Sequence, residues 1–432
     1  EWAKVAGPGY STVGLSPHFA KVERDLDFGD EPGHGSSGPV PVERDFDPLH
    51  PVSEAFRDAT LAWGASYEAD KNALNGAGDR TTGAAGVGPV PFNSSSGVRA
   101  DMATCYLAPV IDVRPNLKVM TNTRTTRVLL HGSIAVGVEV VGQGQRPASV
   151  GADLVILAAG AIGSPGLLLA SGIGPADDLR RSGVDPRVDL PGVGASLFNH
   201  PTLELGFQPT AAARGGAGAL DGAHVGPSGA GSSFMQLALH TSVAAGGPGD
   251  FELMATRRPY GVVTGQRSGD TTLSVRTTLV RPSGRGSVRL APPGERASRT
   301  PGLAISHRPT ANRHDREALR AAARLGDELL RSPEFRELIE ARSGPTAGQL
   351  GSDTELDRWI HANAGFAFHQ MGSCPMGTVD DIAVVDPGFR VRGVDRLAVV
   401  DASVIPVGLS RGPAATVVAL AEVAATVLGT RT

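Results

Sequence analysis

The stretch ADLVILAAGAIGSPGLLLASGIGP, Ala152 to Pro175, decides the fold class. Leu154 to Leu157 is an unbroken apolar run that gives way to small residues, the pattern of a strand buried in a parallel sheet. Ser164-Pro165 then predicts the opening of a short helix, because a hydroxyl cap followed by proline suits a helix N-terminus. Leu154 to Ala176 carries no charge and is long enough to span a bilayer, but Gly160, Gly163, Pro165, Gly172 and Gly174 interrupt it. Strand, turn and helix is the reading, with no transmembrane segment.

Upstream, NLKVMTNTRTTRVLLHGSIAVGVEVVG from Asn116 alternates at period two, with a turn at His131-Gly132-Ser133, and predicts a β-meander. Thr202 to Ser306 is irregular, with strand candidates at Thr272–Val280 and in GSVRLAP. Arg316 to Leu330 comes next, with Leu319, Ala322, Ala323, Leu329 and Leu330 on one helical face. The C-terminal part returns to an α/β pattern, in which RLAVVDASVIP reads as a strand and turn, and Ala414 to Leu428 as an apolar helix. The fold class is therefore mixed α/β.

A chain of 432 residues with 41% hydrophobic residues exceeds what one core organises, so two domains are expected. A net charge of −4 gives no basic field, which argues against nucleic acid or an anionic membrane as partner and leaves a small molecule. Two cysteines are too few for a disulfide framework and favour a reducing cytoplasm. The first residues, EWAKVAGPGYSTVG, do not look like a signal peptide.

Two motifs mislead. Gly33-His34-Gly35-Ser36-Ser37-Gly38 fits G-x-G-x-x-G, yet DFGDEP before it and PVPVERD after it offer neither strand nor helix for a pyrophosphate site, so it reads as a structural loop. Gly408 to Gly412 fits the hydrolase elbow G-x-S-x-G, but no Asp or His follows Ser410 to complete a triad. FHQMGSCPMG, Phe368 to Gly377, pairs His369 with Cys374. His361, His369 and Cys374 make no metal-ligand set, since no second close cysteine and no carboxylate fall in register. Cys374 in such a turn reads as a small buried residue, and a lone histidine by default as a satisfied polar group.

What raises His369 above that default is resemblance. GAIGSPGLLLASGIGP (Gly160–Pro175) resembles the second signature of the GMC (glucose-methanol-choline) flavin oxidoreductases. GVRADMATCYLAP with RPNLKVMTNTRTTRVL, GVGASLFNHP, and FHQMGSCPMGT followed by VVDPGFRVRGVDRLAVVDASVIP resemble further segments of that family, in its order. RDLDFGDEPGHGSSGPV is similar to members associated with the mycofactocin redox cofactor. The family's first strand, its G-x-G-x-x-G turn and its Gly-Gly-Ser-Ser-type signature have no counterpart. The opening EWAKVAGPGYSTVGLSPHFAKVERD resembles the family segment just after those parts, and the expectation is that the N-terminal FAD-binding βαβ segment is absent from this chain.

The resemblance implies a Rossmann-like FAD-binding domain, incomplete at the N-terminus, from 96–202 and 368–432. It implies an inserted substrate domain of antiparallel sheet plus helices at 203–367, and a connecting segment at 1–95. His369 takes the position of the catalytic histidine that accepts a hydroxyl proton as hydride leaves for the flavin, while Thr125, Ala159, Gly160, Asp401 and Ala402 take FAD-contacting positions. The donor is then an alcohol or a reduced redox cofactor such as mycofactocinol. One departure stands out: aligned on Thr416 and Glu422, the family's second His or Asn is Ala414, or Pro413 with a one-residue slip, which implies low or altered alcohol oxidation. A competing reading of another class is a truncated, flavin-free, non-catalytic remnant.

Overall fold

The computed structural model describes residues 1–45, 48–73, 86–214, 233–242, 249–259, 271–292, 302–378 and 382–429. Parts of the irregular stretch between Thr202 and Ser306 lie outside them. The meander forms as the alternation predicts: Thr123–His131, Ile134–Gly142 and Ala148–Gly151 pair antiparallel, and Gly132 turns the first corner at φ 60°. Val155–Leu157 pairs in parallel with Leu397–Val399, as the apolar run predicts. Successive strand residues point to opposite faces, and here the faces differ: Val155 and Leu157 are buried while Ile156 is 47% exposed.

The helix after this strand corrects the sequence reading. It spans Gly160–Ala170 and opens at Gly160 rather than at Ser164-Pro165, so that Pro165 lies inside it. A proline there has no N–H for the carbonyl four residues back. That carbonyl, of Ala161, instead accepts the Ser373 hydroxyl at 2.6 Å. Ser164 serves the helix start from within, accepting from the Ala159 N–H and donating to Asp401.

The second layer is an eight-stranded sheet. Its path runs Ile339–Arg342, Pro201–Pro209, Leu273–Leu279, Phe251–Ala255, Leu237–Thr241, Gly86–Pro89 and Ser66–Tyr67, with Gly365–Phe366 paired to the start of Pro201–Pro209. Two of these strands come from the segment read as a connector. Leu203, Leu205, Phe207, Val275, Leu239 and Leu253 pack one face against helices Pro51–Trp63 and Arg313–Arg331. The latter buries Leu319, Ala322, Ala323, Leu329 and Leu330, as its periodicity predicts. A separate core gathers Val155, Leu157, Leu168, Cys374, Val385, Leu397, Val399 and Leu420. A third, small cluster of Ala161, Leu197, Val288 and Leu303 packs the helix Gly160–Ala170 against Ser287–Leu290 and Leu303–Ser306.

The Gly33–Gly38 loop joins strands Glu23–Asp25 and Val40–Arg44, which are parallel. Its glycines have a packing reason: a Cβ on Gly35 would lie 2.0 Å from the Ala20 carbonyl oxygen, and one on Gly38 2.3 Å from that of Val22. The buried Arg44 grips Asp25 with two bonds, at 2.8 and 2.9 Å, and reaches Asp70 at 2.8 Å. Glu23, Asp25 and His34 could also surround a cation, but the guanidinium of Arg44 already supplies the positive charge there.

Candidate active site

Three stretches far apart in sequence are zipped together by backbone hydrogen bonds. Phe198 and Met371 exchange bonds of 2.9 and 3.1 Å, and the Ala367 N–H donates to the His200 carbonyl. On the other side Gly372, Cys374 and Met376 donate to Ala402, Ser403 and Val404. Gly372 can run between them because it adopts φ 78° and has no side chain; a Cβ would lie 2.4 Å from the Phe198 ring. Phe368, just before His369, is a non-glycine at φ 59°, an uncommon backbone state that directs the next residue inward.

His369 thus meets His200. Their Nδ1 atoms lie 3.0 Å apart with the rings edge-on, and His200 donates through Nε2 to the Leu409 carbonyl at 2.8 Å. Asn199 fixes both residues, its Oδ1 accepting the N–H of His200 and of His369. Burial, followed by the neighbouring His200, pushes His369 down to about 4, and burial also lowers His200. His369 is therefore neutral at pH 7 and able to accept a proton. Gly412 approaches its Nε2: a Cβ there would lie 3.4 Å away. Ala414, the position read for a second His or Asn, is exposed at the start of the helix Ala414–Gly429 and carries no polar side-chain atom.

Four of the five residues expected at a cofactor come together. Asp401 accepts from the Gly160 N–H at 2.9 Å, the Ser164 hydroxyl at 2.5 Å and the Ser403 N–H at 2.7 Å, joining the helix start to the turn that holds Ala402. Ala159, at the N-cap, offers no capping side chain, and nothing stands within 4 Å of where a Gly160 Cβ would be. The helix start is thus open on that side, although its Gly160 N–H is already taken by Asp401, and the N–H groups beyond it in the first turn are those a helix start can offer to an oxygen-rich ligand. Thr125 sits apart, on the meander strand opposite Val140. The buried Asn199 Nδ2 has no partner among the described residues and adds a donor near His369. An uncovered helix start beside the Asp401 carboxylate fits a hydroxylated, phosphate-bearing cofactor, the carboxylate suiting its hydroxyls and the helix end its phosphate. Cys374 is fully buried and its thiol is pushed up by that burial, which makes it an inert wall residue.

The sheet presents residues that sequence reasoning missed. Thr202, Thr278, Glu252 and His240 are cross-strand neighbours in one row, with Glu204 opposite Arg276 in the next. They alternate with the core residues and so occupy the other face, and the charges of Glu252 and Arg276 are felt at His369. His240 donates to Glu252 at 2.9 Å; burial holds the imidazole neutral, down to about 3. Burial raises the Glu204 carboxyl although its side chain is 35% exposed, the combination of a group lining a recess. The alternation in LELGF, LALHT, FELMA and LSVRTTL was the available signal.

Two family models match, both described as GMC oxidoreductase: the N-terminal one over residues 1–202 and the C-terminal one over 282–421. The first match begins at residue 1 and does not bear out the expectation of an absent N-terminal segment. The 5-(hydroxymethyl)furfural oxidase of Methylovorus sp. (strain MP688) is 31% identical over 429 residues, covering 94% of this chain and 73% of the relative. The crystal structure of pyridoxine 4-oxidase from Mesorbium loti superposes with a TM-score of 0.83 at 27% identity, covering 100% of this chain and 80% of that one. Aspergillus oryzae formate oxidase, studied for its FAD modification, gives 0.84 at 23% identity over 99% of this chain and 79% of its own, a likeness of fold. No helix among the described residues is long and apolar enough to cross a membrane.

Proposed function

This chain belongs to the GMC oxidoreductase family, and from that premise we propose that it is an FAD-dependent oxidoreductase acting on a CH–OH donor, with His369 as proton acceptor. The observation that carries the reading is the imidazole of His369, held between Asn199 and His200 on the segment whose Gly372 and Cys374 pair with Ala402 and Ser403, just after Asp401. Ala159, Gly160, Asp401 and Ala402 would line the cofactor through the uncovered helix start and the Asp401 carboxylate, with Thr125 contacting it from the meander. When bound, FAD supplies the acceptor for the hydride. The chain's own part is to orient the alcohol carbon and to take the hydroxyl proton on His369 Nε2, so that carbon leaves as the carbonyl product. Positioned acid–base catalysis of this kind is worth roughly 10²–10⁴ in rate.

We assign the cofactor domain to 96–202 with 368–432 and the substrate domain to 203–367, whose sheet the 1–95 segment extends with Gly86–Pro89 and Ser66–Tyr67. The relatives that oxidise (hydroxymethyl)furfural and pyridoxine support an alcohol donor. A reduced redox cofactor of the mycofactocin type is the narrower reading, supported by the Arg24–Val40 segment alone. Ala414 leaves the substrate oxygen without one oriented donor, so the rate lies below that of a site with His or Asn there. Two free cysteines support a reducing cytoplasm as the compartment.

The test is purification followed by anaerobic mixing with primary alcohols. A yellow protein whose flavin absorbance bleaches with at least one of them supports the reading. A colourless, monodisperse chain that takes up no added FAD would instead favour the flavin-free remnant.

A further inference from the structure

We propose that His200 is a positioning residue that fixes the tautomer of His369, leaving a proton on Nδ1 and a bare lone pair on Nε2. This rests on the reading of His369 as the proton acceptor, and it deepens that reading by saying which nitrogen acts and why. The argument is a chain of hydrogen-bond polarity. A carbonyl oxygen only accepts, so His200 Nε2, 2.8 Å from the Leu409 oxygen, must carry a hydrogen. A neutral imidazole has one N–H, so His200 Nδ1 is bare. The ring is neutral because it is 1% exposed and its two nitrogens face only His369 and the Leu409 carbonyl, with no carboxylate in hydrogen-bond reach among the described residues. His369 Nδ1, 3.0 Å from that bare nitrogen, must then be the donor. Its Nε2 is left as the base, on the side approached by Gly412.

The arrangement has two further consequences. Once Nε2 has taken a hydroxyl proton, the imidazolium still donates Nδ1–H to His200, so the relay needs no second proton movement. His200 also links the base to the 408–412 loop, because the same ring that sets the tautomer is anchored on Leu409. The Asn199 amide holds both backbones, so ring orientation is fixed from either side.

Two conservative variants separate positioning from mere packing. In His200→Asn the amide oxygen lies where Nδ1 was and keeps an acceptor for His369, but the anchor to Leu409 is lost. In His200→Gln the amide nitrogen lies where Nε2 was and keeps that anchor, but the acceptor is lost. The proposal expects flavin reduction in the FAD-loaded chain to stay within about tenfold of wild type for the first and to fall on the order of 10²-fold for the second. The reverse order would overturn it, since it is what a loop-anchoring role gives. The tautomer itself can be read without turnover and without a variant, from imidazole nitrogen-15 chemical shifts of histidine-labelled wild-type chain. Protonated Nδ1 and bare Nε2 at His369 support the proposal; protonated Nε2 refutes it. If the expected tautomer is found while no alcohol bleaches the flavin, the positioning role stands and the assigned reaction fails.

Discussion

Replacing Asp401 with Ala removes the knot that ties the helix Gly160–Ala170 to the C-terminal strand and turn. The carboxylate is 9% exposed and accepts three bonds, from Gly160 N, Ser164 Oγ and Ser403 N. Two of the abandoned donors are backbone N–H groups that cannot turn away; an unsatisfied buried donor costs about 1–3 kcal/mol, with the part-buried Gly160 N–H at the low end and the buried Ser403 N–H above it. The Ser164 hydroxyl can rotate, so its share is smaller. A loss of about 3–4 kcal/mol is expected, the bonds being charge-assisted but partly replaced by water. At 1.4 kcal/mol per factor of ten, protection of the amides in 155–170 should fall on the order of 10²–10³-fold. Hydrogen exchange read by mass spectrometry gives this directly, with Leu273–Leu279 in the other core as an internal control. Asp401→Asn, which keeps one acceptor oxygen, should lie between. Exchange in 155–170 within about threefold of wild type would refute the knot.

Gly372→Ala should cost about 2–4 kcal/mol in denaturant unfolding, since φ 78° is strained for alanine and its Cβ would meet the Phe198 ring at 2.4 Å. Flavin reduction should obey the depressed value of His369: only its neutral form accepts a proton, so the rate rises tenfold per pH unit up to about 4 and is flat above. A limb near the ordinary histidine value of about 6.5 would contradict that. The folded chain should lose stability as pH falls from about 6.5 toward 4, because the unfolded state binds protons there that the folded state refuses at His50 and His369, both pushed down to about 4 by burial. Cys105 should react with an alkylating reagent in the native protein and Cys374 should not, being 0% exposed.

Much of this was legible in the sequence because it is local. Period-two alternation gave the meander, and periodicity gave the helix at Arg313–Arg331. The helix start at Gly160 was not legible, since a serine followed by proline, Ser164-Pro165, looks like a beginning although it lies past the first turn. It is tolerated only because Ser373 takes up the stranded carbonyl of Ala161, 212 positions away. His200 was hidden for the same reason: nothing near it in sequence points to His369, and the pairing exists only once Phe198 and Met371 are zipped together. The charged face of the sheet was written in its strands, yet which face looks toward His369 is decided by the helices covering the other.

The most direct test of His369 is anaerobic stopped-flow bleaching of the flavin by an alcohol, comparing the wild-type chain with His369→Ala at matched flavin content. The expected result is flavin retained and reduction slowed by at least about 10²-fold. Bleaching at an undiminished rate would contradict the role given to His369.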